Sequence, residues 1–436
     1  MRLVAAGPIS TGATQAGPVP EGPARVTAYS WIVFALTFGL LISDYMARQV
    51  LNAVFPLLKA EWALTDTQLG LLSGVVAVMV GVLTFPLSLA ADRWGRVRSL
   101  ALMAVLWSLA TLFCAVAAGF EQMLVGRALV GVGEAAYGSV GIAVVISVFP
   151  QRLRATLAAA FMAGALFGQV LGLGLGGTIA ASYGWRAAFL AIGVSGLVLA
   201  VLYPLLVSER RIRMMNEAHA QGNTAAKRAP LGALIGSRSV RLAYLGSGLQ
   251  LFAGGSLPAW LPSYLNRDYG FAVDRAGQVA ALLLLACGCG MIGCGMLSDR
   301  LAHDRPERKI TLAIIYSLGT AASLALAMLL PPGAAQLALI GVAMFLVAGT
   351  TGPAGAMVAN LTPLAIHGSA FATLTLANNL IGLAPGPIVT GRVADMIGLA
   401  GAFQLLPLPC LAAAIAFAAM RRTYLSDLAK AKPEGS

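Results

Sequence analysis

The chain has 436 residues, 58% of them hydrophobic and 11% charged, and its mean hydropathy is +0.83. A soluble protein of this size carries about 25% charged residues, so the composition excludes a water-solvated globule and predicts a multi-span membrane protein. The net charge of +12 sits in short turns between apolar runs, a pattern that topology explains and a nucleic-acid surface does not.

Long apolar runs recur without ten-residue strand-like alternation, so the spans are predicted as helices. Residues 1–27, rich in Gly, Pro, Ala and Thr and lacking an apolar signal core, are expected to be a disordered tail. Span one, from about Tyr29 to Leu57, carries Asp44, Tyr45 and Arg48. Asp44 and Arg48 lie one turn apart, so they can pair on one face. Spans two and three, about Thr67 to Ala91 and Ser99 to Ala117, flank a charged turn, Ala91-Asp92-Arg93-Trp94-Gly95-Arg96-Val97-Arg98.

Span four, about Met123 to Val148, contains Arg127 and Glu134. A charge at the centre of a lipid-spanning helix costs roughly 2.5 to 3.5 kcal/mol, so such residues face a bundle interior or a wet cavity. Their spacing is two turns, which puts both on one face, roughly 10 Å apart along the axis. Spans five and six run from about Ala155 to Ala180 and Ala187 to Val207; glycines at Gly164, Gly168, Gly172 and Gly176 let span five approach its neighbours closely. The polar stretch 208–241 is expected to link a first half, 28–207, to a second, 242–421, followed by a tail, 422–436. Cys114, Cys287, Cys289, Cys294 and Cys410 all fall in spans as small apolar filler, without the company a metal site needs.

The halves repeat. Gly168, Gly172, Gly177, Gly184, Ala188 and Phe189 recur as Gly382, Gly386, Gly391, Gly398, Ala402 and Phe403, an offset of 214, and Asp92-Arg93 is matched by Asp299-Arg300. With the N-terminus inside, 22 of the 29 basic residues fall on the cytoplasmic side and only Lys59, Arg186, Arg267, Arg275 and Arg392 on the other. Both termini are therefore expected in the cytoplasm.

Asp44, Arg48, Arg127 and Glu134 sum to zero charge within the first half. They read either as a self-neutralising structural network or as one wall of a transport cavity. The second half has no ionisable side chain deep in a span, which favours the cavity. Tyr45 and Tyr137 join the arginines as candidate contacts, and the facing wall is expected to offer Gln250, Trp260, Tyr264, Thr350, Thr351, Asn378 and Asn379.

Twelve spans in two repeated halves, with Gly295-Met296-Leu297-Ser298-Asp299-Arg300 and the related Ser88-Leu89-Ala90-Ala91-Asp92-Arg93-Trp94-Gly95-Arg96-Val97-Arg98, resemble the major facilitator superfamily from Tyr29 to Met420. Ser88 stands where that family usually has glycine. The resemblance implies an all-α membrane protein of twelve transmembrane helices in two six-helix repeats. It also implies a cytoplasmic gate, in which Asp92 accepts at a helix N-terminus of the other half and Arg93 and Arg96 bind carboxylates, with Asp299 and Arg300 at the matching turn. A merely topogenic loop is the alternative. The Gly131-Val132-Gly133-Glu134-Ala135 run with Arg127, and Gly184-Trp185-Arg186-Ala187-Ala188-Phe189, are similar to the anion:cation symporter family, with spinster-like transporters close behind. Both families generally carry an Asp-Arg pair in span one. Here Ala47 precedes Arg48, and Asp44, about one turn away, is the substitute by spacing.

The expected function is secondary active transport by alternating access: proton-coupled symport of a small organic anion, a carboxylate or sugar acid, at a bacterial inner membrane. Glu134 and Asp44 would carry the proton and Arg48 and Arg127 the anion, since a guanidinium forks onto two carboxylate oxygens. The alternative is a spinster-like transporter of lysolipids or other amphiphiles, or a multidrug-type exporter. No nucleophile and base pair, metal cluster or phosphate-binding glycine loop is present in the sequence, so no enzyme activity, cofactor, metal or nucleic-acid partner is expected. The partners are a small-molecule substrate, protons and the lipid bilayer, and the chain is expected to be a monomer.

Overall fold

The computed structural model describes residues 26–219, 232–302, 305–363 and 366–431, with Asp92, Ala155, residues 216–219, Ala233 and Ala431 by their backbone alone. Nearly all of the expected N-terminal tail and the middle of the linker lie outside them. No strand occurs among the described residues. Span one is Ala28–Ala53, entered through Thr27, whose hydroxyl accepts from the Ser30 amide. It ends earlier than the sequence suggests, because the chain turns at Val54 into a separate helix, Phe55–Trp62. Span two, Asp66–Trp94, opens on a capping box between Thr65 and Gln68. Span three is Arg96–Ala115, span five Gln151–Tyr183 and span six Trp185–Leu206. Spans seven, eight and nine are Arg238–Asp268, Val273–Leu301 and Arg308–Leu329.

Span four is not continuous. Phe120–Glu134 stops at Glu134, and Tyr137–Ser147 resumes after Ala135 and Ala136. Thr84 of span two donates to the Ala135 carbonyl at 2.7 Å, one way the interruption is satisfied inside the bundle. Span ten breaks at the repeated place, Ala334–Val347 and Thr351–Leu361 being joined by a 3₁₀ turn, Ala348–Thr350. Ala348 and Glu134 differ by the same 214 as the glycines. In span eleven, His367–Ala377 passes into a π-helical turn, Asn378–Leu383, before Pro385–Leu405. Pro385 and Pro387 lack amide hydrogens, and the Ala384 amide reaches back five residues to the Asn379 carbonyl at 2.9 Å. That last helix bends at Gly398, φ 81°, as the chain enters span twelve; its counterpart Gly184, φ 86°, separates spans five and six. Both turns need the left-handed conformation that glycine adopts freely. Span twelve continues as Pro407–Arg421.

Two ends are distinguished by charge: a basic end with the Arg93 to Arg98 turn and the linker helix Glu209–His219, and a far end with Asp66 and Arg267. At the far end one apolar core runs through both halves, including Phe55, Leu72 and Phe189 from the first and Leu257, Trp260 and Phe403 from the second. Towards the basic end the core divides, one cluster around Trp107, Tyr137 and Phe161 in the first half and another around Val240, Met357 and Phe417 in the second. The halves are therefore joined at the far end and parted at the basic end. Cys114, Cys294 and Cys410 are buried as expected, whereas Cys289 is exposed.

Candidate functional site

Span one presents Tyr45, Arg48, Gln49 and Asn52 as a polar stripe with i, i+3, i+4, i+7 spacing, and all four line a cavity of about 230 Å³ between the halves. Ser73 of span two and Gln169 of span five complete the first-half wall. The amides form a ladder: Gln49 donates to Gln169 at 3.1 Å, and Asn52 donates to Gln49 at 2.6 Å. The second half contributes Gly254, Gly255 and Pro258 of span seven with Leu383 and Pro387 of span eleven. Polar side chains thus sit on one wall, facing glycine, proline and leucine.

Arg48 stands 3.6 Å from Glu134, whose carboxylate projects from the break in span four. Arg127 and Glu134, which their spacing puts on one face, do not form an ion pair. Arg127, 1% exposed, instead donates from Nη1 to the Ala47 carbonyl at 2.7 Å and from Nη2 to the Arg48 carbonyl at 2.9 Å. These fork distances place its guanidinium on the backbone of span one, away from the carboxylate two turns along its own helix. Asp44 and Arg48, whose spacing allows a pair, form no ion pair either; Asp44 Oδ1 and Glu134 Oε1 are both buried without a hydrogen-bond partner. A buried unsatisfied polar group costs about 1–3 kcal/mol, and more if charged.

The other candidate contacts fall elsewhere. Tyr137 donates to the Thr37 carbonyl at 2.7 Å and packs edge-on against Trp107, inside the first half. Gln250 donates to Thr320 at 3.0 Å and is fully buried in the second half. Trp260 donates to the Pro387 carbonyl at 2.9 Å and meets Phe55 across the halves, in the far-end core. Tyr264 donates to Gln336, and Thr351 to the Ala348 carbonyl. Asn378 and Asn379 begin the π turn of span eleven; Asn379 donates back to the Thr375 carbonyl, and the Oδ1 atoms of both are buried without a partner. None of these side chains lines the central cavity.

Closure is built at the far end. Asp395 of span eleven accepts from the Asp66 amide at 2.7 Å, the Thr67 amide at 2.9 Å and the Thr67 hydroxyl, so a carboxylate of the second half caps the N-terminus of span two. Arg267 of span seven forks onto Asp66 at 2.8 and 2.7 Å, and Lys59 approaches the same carboxylate. Gly70, Gly74 and Gly391 allow the contact: a Cβ on Gly70 would lie 2.4 Å from the Pro387 carbonyl oxygen, one on Gly74 2.6 Å from that of Ala384, and one on Gly391 2.3 Å from that of Asp66. Beside this seal Glu61 accepts from the Trp185 indole at 2.6 Å and from Arg186 at 2.7 Å, and the indole bond foremost holds its carboxyl below the usual range.

At the basic end, none of the described side chains of the anticipated gate pairs across the halves. The Asp92 side chain lies outside the described residues; Arg93 is exposed, and the Arg96 amide donates to Glu209 of the same half. Asp299 pairs with Lys309 at 3.1 Å within the second half, and Arg300 is exposed.

Residues 37–354 match the model of the Major Facilitator Superfamily. The chain is 25% identical to the hexuronate transporter of Bacillus subtilis strain 168, over 86% of this chain and 90% of that protein. It is 26% identical to the gallate transporter of Pseudomonas putida, over 90% and 92%. Among solved structures it resembles a bacterial homologue of the human lysosomal transporter Spinster in an inward-facing, occupied conformation, with a TM-score of 0.81 at 19% identity, covering 92% of this chain and 98% of that one. A match over most of the length, on twelve helices in two repeated halves around a central cavity, leads to one conclusion: the chain belongs to the Major Facilitator Superfamily and is a multi-pass membrane transporter, not an enzyme.

Proposed function

We propose that the protein is a proton-coupled symporter of a small organic anion, with Arg48 as the anion's ligand and Glu134 as the proton carrier. The observation that carries this is the 3.6 Å approach of Arg48 to Glu134 at the cavity wall. Arg48 reaches one carboxylate and faces open space, so an incoming carboxylate competes with Glu134 for the same guanidinium. When the substrate takes Arg48, Glu134 loses its partner in a desolvated place and accepts a proton; when the substrate leaves, the pair reforms and the proton departs. Asp44, with Oδ1 unpartnered, is the second candidate carrier. The relatives that handle hexuronate and gallate support a carboxylate substrate.

Arg127 enters as a positioning residue. Its fork on the Ala47 and Arg48 carbonyls fixes the turn of span one from which Arg48 projects. The excess of basic residues supports a cytoplasmic basic end, and in that orientation the conformer sealed at Asp66 and Asp395 is inward-facing. The conformation with a closed basic end and an opened far end completes the cycle, and the Asp92 gate is assigned to it.

A second reading rests on a separate apolar gap of about 290 Å³ between spans two and eleven, lined by Val82, Phe85 and Leu376. It suits the tail of an amphiphile. Uptake into proteoliposomes separates the two: hexuronates and aromatic acids competing for pH-driven uptake support the anion symporter, whereas competition by lysolipids alone supports the amphiphile carrier.

A further inference from the structure

Two cavities away from the central one meet at Trp94. One is an apolar groove of about 130 Å³ along spans two and three, with Leu87, Ala90, Leu102 and Leu106 on its sides. The other, about 370 Å³, opens at the turn between those spans and is lined by Arg93, Arg96, Arg98 and Arg213. Trp94 lines both and is 63% exposed.

The carboxylate in this pocket is already committed. Glu209 accepts from the Arg96 amide at 3.1 Å and the Val97 amide at 2.7 Å, capping span three. Gly95 makes room for it, since an added Cβ would lie 3.1 Å from the Glu209 carboxyl carbon. None of the four arginines forms an ion pair among the described residues. A concentrated positive charge therefore lies beside an apolar groove, at the level where an exposed tryptophan marks a membrane surface.

We propose that this composite cavity binds an anionic membrane phospholipid, its phosphate among the four guanidiniums and an acyl chain in the groove. Arginine gives phosphate charge-assisted, forked hydrogen bonds, and basic pockets beside membrane helices suit anionic head groups. A free phosphate would use the arginines and leave the groove idle; Trp94, which lines both cavities, brings the two side by side and favours the lipid. The bound lipid would tie the linker helix, through Arg213, to the turn between spans two and three.

Native mass spectrometry of the delipidated full-length protein in detergent, titrated with phosphatidylglycerol or phosphatidylcholine, tests this. Phosphatidylglycerol is expected to be retained about tenfold better. The double variant Arg98→Gln/Arg213→Gln, at exposed positions, should fall to the phosphatidylcholine level, and Arg421→Gln/Arg422→Gln in the other half should not. Ala90→Trp, which fills the groove, should weaken phosphatidylglycerol binding, and inorganic phosphate at millimolar concentration should not displace the lipid from the wild type. Equal retention of both lipids, or wild-type retention by the Arg98 and Arg213 variant, would overturn the proposal. Displacement by phosphate together with an inert Ala90→Trp would assign the pocket to a free anion and overturn the lipid.

Discussion

Arg48 and Glu134 face each other at 3.6 Å across spans one and four, while Arg127, which precedes Glu134 on its own helix, is turned onto the carbonyls of Ala47 and Arg48. The two intramembrane arginines therefore differ in kind. One ends in the cavity and can exchange partners; the other is held by backbone acceptors that do not titrate or leave.

That difference predicts different losses. Arg127→Gln removes two hydrogen bonds from a charged donor, each worth about 1.5–3 kcal/mol, and should lower the detergent-solubilised protein's Tm by several degrees. Arg48→Gln should leave Tm nearly unchanged and abolish the stabilisation that saturating substrate gives the wild type. Thermal unfolding with and without substrate checks both; equal Tm losses in the two variants would contradict the assignment.

The far-end seal predicts a shift in conformation. Asp395→Asn weakens the charge-assisted cap on span two, and Arg267→Gln removes the fork on Asp66. In the proposed cycle each contact is made in the far-end-closed state alone, so its loss biases the equilibrium towards far-end opening by its differential energy, about tenfold for 1.4 kcal/mol. Ser73→Cys, a cavity-lining position in a cysteine-free background, should become more reactive to an impermeant reagent applied from the far side. Asp92→Asn should move the same reactivity the other way.

Packing gives an independent route to the same state. Gly70→Val places side-chain atoms where Pro387 and Ile388 now sit, which blocks far-end closure while leaving each half's own core untouched. The variant should fold, bind substrate from the far side and fail to release it at the basic end. Normal turnover would contradict a closed state built on this contact.

The sequence made the twelve spans, the repeat and the intramembrane charges legible, because charge in an apolar run has few explanations. Partner choice was not legible: Arg127's acceptors are backbone carbonyls of another span, which leave no mark in a side-chain pattern. The stripe formed by Tyr45, Arg48, Gln49 and Asn52 is readable by its spacing, but uncharged amides are common enough in spans that Gln49, Asn52 and Gln169 carry no signal of their own. Gln250 and Trp260 bond neighbouring helices in this conformer, since a polar side chain in a bundle as often satisfies a neighbouring helix as a ligand. Asp66, Arg267 and Asp395 carry no marker in the sequence, because only the fold brings their turns together across the halves.

Coupling through Glu134 is the central claim. The most direct measurement is substrate accumulation in proteoliposomes under an imposed pH gradient, set beside exchange of labelled for unlabelled substrate, for wild type, Glu134→Gln, Asp44→Asn and the double variant. Glutamine fixes position 134 in the neutral form, so Glu134→Gln should lose pH-driven accumulation and keep exchange, and Asp44→Asn should accumulate as wild type if Glu134 alone carries the proton. Accumulation against a gradient that persists in Glu134→Gln and in the double variant would contradict the account and return the four intramembrane charges to a structural role.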